Sequence, residues 1–103
     1  MSRIPSEQYD TIEKQILAEV ASGRLEDAVA ASLCWGDLAL YVEYDDETAK
    51  KFYGLAKQFY QKQGKPEKVA EIELVIGGAT AWVAREKSRI GNADKQLMEK
   101  LFS

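Results

Sequence analysis

The stretch 52-FYGLAKQFYQKQGKPEKVAEIELVI-76 decides the fold, because its pattern is that of two helices joined by a tight turn. Before the turn, Phe52, Leu55 and Phe59 recur at the spacings of three and four that are typical of an amphipathic helix. Gly64 is the residue type that ends helices in a left-handed conformation, and the proline two positions later is tolerated at the start of a new helix. Such a short link predicts a pair of antiparallel helices.

A second link of the same kind lies upstream, at Gly23. The helix before it presents Tyr9, Ile12, Ile16 and Val20 on one face, and the helix after it has a wide apolar face. Gly36 lies within this second helix, and because glycine weakens a helix interior it either has a packing reason or marks a bend. Between the two hairpins, Tyr44-Asp45-Asp46-Glu47-Thr48 predicts a turn in which Asp45 or Asp46 caps the third helix.

The fourth helix begins at the proline and is apolar nearly all round from Leu74 to Ala84, which predicts that it is central in the fold or part of an interface. Gly77-Gly78 predicts a kink or a tight helix crossing within it. Gly91-Asn92 is expected to end it, before a short amphipathic tail that contains Leu97, Met98, Leu101 and Phe102. The sequence therefore predicts one all-α domain, residues 1–103, with two antiparallel hairpins (four main helices) plus a short C-terminal helix.

Composition excludes several classes of protein. The chain has 14 basic and 17 acidic residues, a net charge of −3, so it lacks the basic excess that nucleic-acid binding requires. A local basic strip at Arg85, Lys87 and Arg89 is also explained as the solvated end of a helix. The longest uncharged stretch has eleven residues, too few to span a membrane. Cys34 is the only cysteine and is expected in the core, which predicts a reducing, cytoplasmic location.

The chain lacks the residues of the common catalytic and metal sites. It has no histidine, hence neither the commonest general base nor the commonest metal ligand. No glycine-rich phosphate loop precedes a helix, and no Glu-x-x-Glu pair suggests a di-metal centre. We therefore expect no cofactor, no metal and no enzyme activity. A small-ligand pocket near Trp35 and Trp82 is the alternative.

Two aromatic groups are candidate partner-binding surfaces. The first combines aromatic with acidic residues, which would steer a basic segment toward the surface; it consists of Trp35, Tyr41, Tyr44, Asp45, Asp46 and Glu47. The second is the pair Tyr53 and Tyr60, seven residues apart at the edge of the third helix's apolar stripe. In each case the alternative is that the aromatic rings pack within the protein and the acids cap a helix.

The two links form an internal repeat. Leu55-Ala56, Phe59-Tyr60 and Gly64 resemble the first helix and the turn of a tetratricopeptide repeat, and the segment from Gly23 to Val29 is similar to the same turn. The resemblance covers about residues 12–76, with the two glycines 41 residues apart. It implies a peptide-binding scaffold that performs no chemistry.

Together these observations favour a small module that binds a protein or peptide partner, with a basic partner as the expectation for the acidic group. It would act as an adaptor, an assembly chaperone or a stoichiometric inhibitor. The alternative is a homo-oligomeric building block that associates through the apolar fourth helix, because four helices do not necessarily cover such a segment.

Overall fold

The computed structural model describes the backbone of residues 6–102 and the side chains of residues 8–93 and 95–101. The described backbone is helical apart from three short links. Its elements are α1 (Ser6–Ala21), α2 (Leu25–Asp37), a π-helical segment (Leu38–Val42) that continues α2 directly, α3 (Asp46–Lys62) and α4 (Pro66–Phe102). The predicted all-α class and the helical hairpins are confirmed.

Two of the three links end their helices as predicted. Gly23 has a φ angle of +82° and Gly64 a φ angle of +67°, the left-handed conformation that glycine adopts without a steric penalty. After Gly64, the backbone N–H of Lys65 donates to the carbonyl of Tyr60 at 3.1 Å, which satisfies a carbonyl at the end of α3. Pro66 then opens α4, where its missing N–H costs no hydrogen bond.

The third link turns the chain between the π-helical segment and α3. Tyr44 has a positive φ of 53°, and Asp45 is the N-cap of α3. The Asp45 carboxylate accepts from the backbone N–H of Thr48 at 3.2 Å and from the Thr48 hydroxyl at 2.6 Å. Of the two predicted caps, Asp45 is therefore the correct one, and Asp46 is the first residue of the helix.

Consecutive helices pack on one another in chain order, and α3 packs against both α2 and α4. The core divides into two clusters that share α3. The α1 cluster joins α1, α2 and α3 through Ile16, Ala28, Val29, Phe52, Leu55 and Phe59. The α4 cluster joins the π-helical segment, α3 and α4 through Ala39, Leu40, Ala49, Tyr53, Ile72, Ala79 and Val83.

The packing reason expected for Gly36 is the Tyr53 ring. Gly36 is buried in α2, and a Cβ atom placed on it would lie 2.8 Å from Cε1 of Tyr53 and 2.9 Å from Cδ1. The absence of a side chain lets α3 approach α2 at this point. By contrast, no heavy atom lies within 4 Å of a Cβ at Gly77 or Gly78, so the predicted tight crossing there is wrong.

The prediction that the fourth helix ends at Gly91-Asn92 is wrong. α4 continues through both residues to Phe102, a helix of 37 residues and about 55 Å, so there is no separate short C-terminal helix. Its length accounts for most of the 61 Å long axis of the molecule. Glycine in a helix costs only about 1 kcal/mol, and the good helix formers that follow it, such as Lys95 and Leu97, offset that cost. The side chain of Phe102 lies outside the described residues.

Two expectations about burial are also wrong. The segment from Leu74 to Ala84 is not central, because α4 packs on the rest of the chain along one side and Leu74 is 79% exposed. Cys34 is exposed. It lies two residues after buried Ser32, which places it on the far side of α2 since each residue turns a helix by about 100°. None of the described helices combines the length and the apolar character needed to cross a membrane.

Candidate functional site

The structure divides the predicted aromatic and acidic group between the two clusters. Trp35 packs against Phe52 of the α1 cluster, with ring centroids 6.2 Å apart. Tyr41 and Tyr44 instead both contact Trp82, on α4. The Tyr41 ring meets Trp82 edge-on at 4.9 Å, and the Tyr44 ring stacks on it at 6.0 Å. The tryptophan that joins these two tyrosines was not part of the predicted group.

The three acids of that group have different environments. Asp45 caps α3, as described above. Asp46 accepts a 2.7 Å hydrogen bond from the Thr80 hydroxyl on α4 and lies 3.7 Å from the Lys50 ammonium. Glu47 is exposed. Two of the acids thus take part in contacts within the chain, and Glu47 is the exposed one.

Tyr53 and Tyr60 do not form an exposed pair. Tyr53 is 2% exposed and its hydroxyl donates to the Asp37 carboxylate at 2.5 Å, so the expectation that it could face solvent is wrong. Burial and that hydrogen bond raise the pKa of Tyr53 well above its ordinary range. The physical reason for its burial is the space left by Gly36. Tyr60 is half-buried and packs at the edges of both clusters.

A groove runs between the π-helical segment and α4. We name it the Tyr41–Trp82 groove; its volume is about 240 Å³. Its walls are mainly apolar and aromatic, with one cation, and are formed by Leu40, Tyr41, Leu74, Val75, Gly78, Ala79, Trp82 and Arg85. Gly78 leaves part of its floor open, because nothing lies within 4 Å of a Cβ at that position.

The π-helical segment places Tyr41 at this groove. The backbone N–H of Glu43 donates to the carbonyl of Leu38, five residues earlier, at 3.1 Å, and the N–H of Asp45 reaches the carbonyl of Ala39 at 2.9 Å. These wide turns change the direction of the following side chains relative to an α-helix. Leu40 is buried in the α4 cluster, while Tyr41 is half exposed and lies against Trp82.

The cations near the groove differ in their pairing. Arg89 binds Glu86 through its Nη2 at 2.6 Å and its Nε at 3.2 Å, and these bonds raise the pKa of Arg89. Arg85 lines the groove, is exposed, and forms no ion pair with any residue that the structure describes. Its guanidinium therefore remains available to an anion from outside the chain.

A second groove lies between α1 and α2. It has a volume of about 430 Å³ and is lined by Gln8, Thr11, Ile12, Gln15 and Trp35. Trp35 and Trp82 thus line separate grooves, and the single pocket near both tryptophans that the sequence suggested does not form. The described residues that line the second groove contribute amide, hydroxyl and apolar groups, and none of them is charged.

Large exposed apolar side chains concentrate on α4 and on the adjoining π-helical segment. Those on α4 are Leu74, Leu97, Met98 and Leu101, and those on the segment are Tyr41 and Val42. Leu74, Gly78, Trp82 and Arg85 follow one another at spacings of four, four and three, which places them on one side of the helix. This spacing is visible in the sequence, but the prediction that the helix is apolar nearly all round did not make use of it.

No group of carboxylates and thiols among the described side chains is arranged to hold a metal ion. Comparisons with known proteins add no family: no protein-family model, no curated protein and no solved structure matches the chain.

Proposed function

We propose that this protein is a helical module that binds another protein through α4 and the adjoining π-helical segment. The observation that carries the proposal is the concentration of exposed apolar side chains on these two neighbouring elements. Scattered exposed apolar residues are normal on folded proteins, whereas neighbouring ones rimmed by charges mark interaction sites. Adaptor, assembly chaperone and stoichiometric inhibitor are all roles that such a surface supports.

The exposed apolar surface on these two elements supplies part of the free energy that binding of moderate affinity needs. Fully burying a leucine-sized side chain contributes about 1.5–3 kcal/mol, and Leu74 is 79% exposed, so a partner that covers it would gain about 1–2 kcal/mol. Tyr41 and Val42 are 50% and 56% exposed, so together with Leu74 they would supply about 3–5 kcal/mol. Association costs about 4–15 kcal/mol in lost motion, so a partner must also form specific contacts to bind well.

A pull-down from the native host's lysate with tagged protein, read by mass spectrometry, tests the proposal. We expect a stoichiometric partner that Leu74→Glu releases, because a carboxylate at this position cannot be buried against an apolar surface without cost. Leu17→Glu is the matched control, since Leu17 is 44% exposed on α1, away from α4. Release of the partner by both variants, or by neither of them, would contradict docking through α4.

A second candidate function is self-association through the end of α4. Ile90, Leu97 and Leu101 continue the same side of the helix that Ala79 and Val83 bury against the protein, at spacings of seven and four. Leu97 and Leu101 are nevertheless more than half exposed. Most of the stability of a helix in a protein comes from packing of its apolar face, so a partner along this stripe would stabilise the end of α4.

Self-association through the end of α4 favours an antiparallel arrangement of two copies. α3 occupies this side of α4 up to the level of Thr80, where Asp46 and Lys50 contact it. Two parallel copies would therefore place their α3 helices in the same space, whereas antiparallel copies would place them at opposite ends. Sedimentation equilibrium should give a mass that rises with concentration and returns to one chain in Leu97→Asp. A monomer at every concentration would reject self-association.

A further inference from the structure

We infer that the Tyr41–Trp82 groove binds a helical segment of the partner that carries a bulky apolar side chain and, four to seven residues away, an aspartate or glutamate. The inference rests on the proposed function and adds to it the chemistry of the partner. It is argued from the volume of the groove, from the unpaired cation along it and from the distance between the two.

The volume of the groove suits a side chain rather than a metabolite. Pockets for small molecules usually enclose about 300–1,000 Å³, and this groove has about 240 Å³ and is open to the surface. A bulky apolar side chain that enters over Gly78, between Tyr41 and Leu74, occupies a large part of such a space. Aromatic walls of this kind are where protein interfaces place their anchor residues.

Arg85 determines the charge of the partner. Its guanidinium lines the groove without an ion pair to any described residue, whereas its neighbour Arg89 is already held by Glu86. A planar guanidinium beside an apolar surface binds a carboxylate through two parallel hydrogen bonds, and partial exclusion of water strengthens them.

The spacing along α4 determines the spacing in the partner. Gly78 and Arg85 are seven residues apart, which is about 10 Å along the helix axis. A partner helix laid along the groove would match this distance with residues seven apart, and the length of the arginine side chain also allows residues four apart. Leu74 extends the groove by about 6 Å on the other side of Gly78, enough for a second apolar residue one turn away.

The test uses a phage-displayed library of random peptides about 16 residues long, enough for roughly 24 Å of helix, selected on the immobilised full chain. We expect the selected peptides to carry a bulky apolar residue with an acid four to seven positions away. One synthetic peptide from the selection then serves as the probe for affinity measurements on the variants. Peptides with no acid at that spacing, or no enrichment at all, would overturn the inference.

Gly78→Gln fills the groove and, because glutamine is a better helix former than glycine, does not weaken α4. We expect it to weaken peptide binding by about thirtyfold, the effect of losing one anchor residue. Gly77→Gln is the matched control: it makes the same change one residue earlier, outside the groove, and should leave affinity unchanged. Equal effects of the two variants would place the peptide elsewhere.

Arg85→Glu should weaken peptide binding by about tenfold or more, and this loss of affinity should shrink at high salt. Lys87→Glu is the control: Lys87 lies outside the groove lining, so the change should alter affinity much less.

Failure of the inference and failure of the proposed function are distinguishable. If Leu74→Glu releases the lysate partner while Gly78→Gln and Arg85→Glu retain it, docking through α4 stands and the acidic partner segment is rejected. If all three retain it, both are rejected.

Discussion

Replacing Gly36 by alanine places one methyl group where α2 and α3 come closest. The new Cβ would lie 2.8 Å from Cε1 of Tyr53, 2.9 Å from Cδ1 and 3.2 Å from Cζ. The Tyr53 ring has little freedom to move away. It is 2% exposed, and its hydroxyl is held by Asp37, the residue that follows Gly36 in the chain.

Two opposing terms decide the effect of Gly36→Ala on the free energy of unfolding. Alanine is a better helix former than glycine by about 0.8–1 kcal/mol. Overpacking a buried contact costs about 1–3 kcal/mol, because side chains leave their preferred rotamers or the helices separate. The net expectation is a loss of about 0–2 kcal/mol. Gly54→Ala in α3 meets no atom within 4 Å and should gain the full propensity difference of about 0.8–1 kcal/mol, so the two variants should differ by about 1–3 kcal/mol.

Urea unfolding followed by circular dichroism measures both variants, and thermal unfolding should separate them by about 5–15 °C for a chain of this size. A second background tests the cause. In Tyr53→Leu the ring is absent, so Gly36→Ala should lose its penalty and become neutral or stabilising, a coupling that a double-mutant cycle detects. If Gly36→Ala stabilises the otherwise unchanged chain as much as Gly54→Ala does, the close contact between α2 and Tyr53 does not exist.

Two further predictions concern a helix cap and the alkaline limit of stability. Asp45→Ala should lower the free energy of unfolding by about 1 kcal/mol in urea titrations, because it removes the oxygens that cap α3. Asp45→Asn keeps an accepting oxygen and should lower it much less. Equal losses in the two variants would mean that the cap contributes little. Burial, with the nearby Glu13 carboxylate, raises the pKa of Tyr9 from 10.0 to about 12, and the pKa of Tyr53 is also raised. Folding favours the neutral form of both phenols, so their contribution to the free energy of unfolding is complete below pH 10 and is lost as the pH rises through 10 to 12. The melting temperature should therefore fall over that range, and it should fall less steeply in Tyr53→Phe. An identical slope in the variant would rule out Tyr53 as a cause.

Helix ends could be predicted where the chain beyond them packs back on the protein. Gly23 and Gly64 each precede a helix that returns along the previous one, so a turn at the glycine leads to buried contacts. Gly91 is the same residue type, but Ile90 and Leu97 are already in phase with Val83 on one side of α4. The helix continues through Gly91 and keeps these residues in phase. The residue type was visible in the sequence, whereas the contact that decides its effect was not.

The candidate site was harder to predict because it depends on contacts between helices. Tyr53 and Tyr60 are equivalent by spacing, yet Tyr53 is buried and Tyr60 half-buried, since the space for Tyr53 comes from Gly36 on another helix. Similarly, Tyr41 and Trp82 are far apart in sequence and meet only because the π-helical segment turns Tyr41 toward α4. Local chemistry therefore narrowed the cap of α3 to Asp45 or Asp46, while the groove required the tertiary structure.

The composition of α4 follows from its two unequal sides. A helix that is apolar all round suggested either a central position or an interface, and the exposure of Leu74 contradicts the central position. On one side, Ile72 and Val83 are buried in the α4 cluster and hold the fold. On the other side, Leu74 and Arg85 border an open groove and lie outside that cluster. Packing of the core therefore does not explain why position 74 carries a leucine. Leu74, Gly78 and Arg85 are exposed and lie outside the buried clusters, so substitutions at these three groove residues should change binding without unfolding the chain, which makes the proposed function testable by single substitutions.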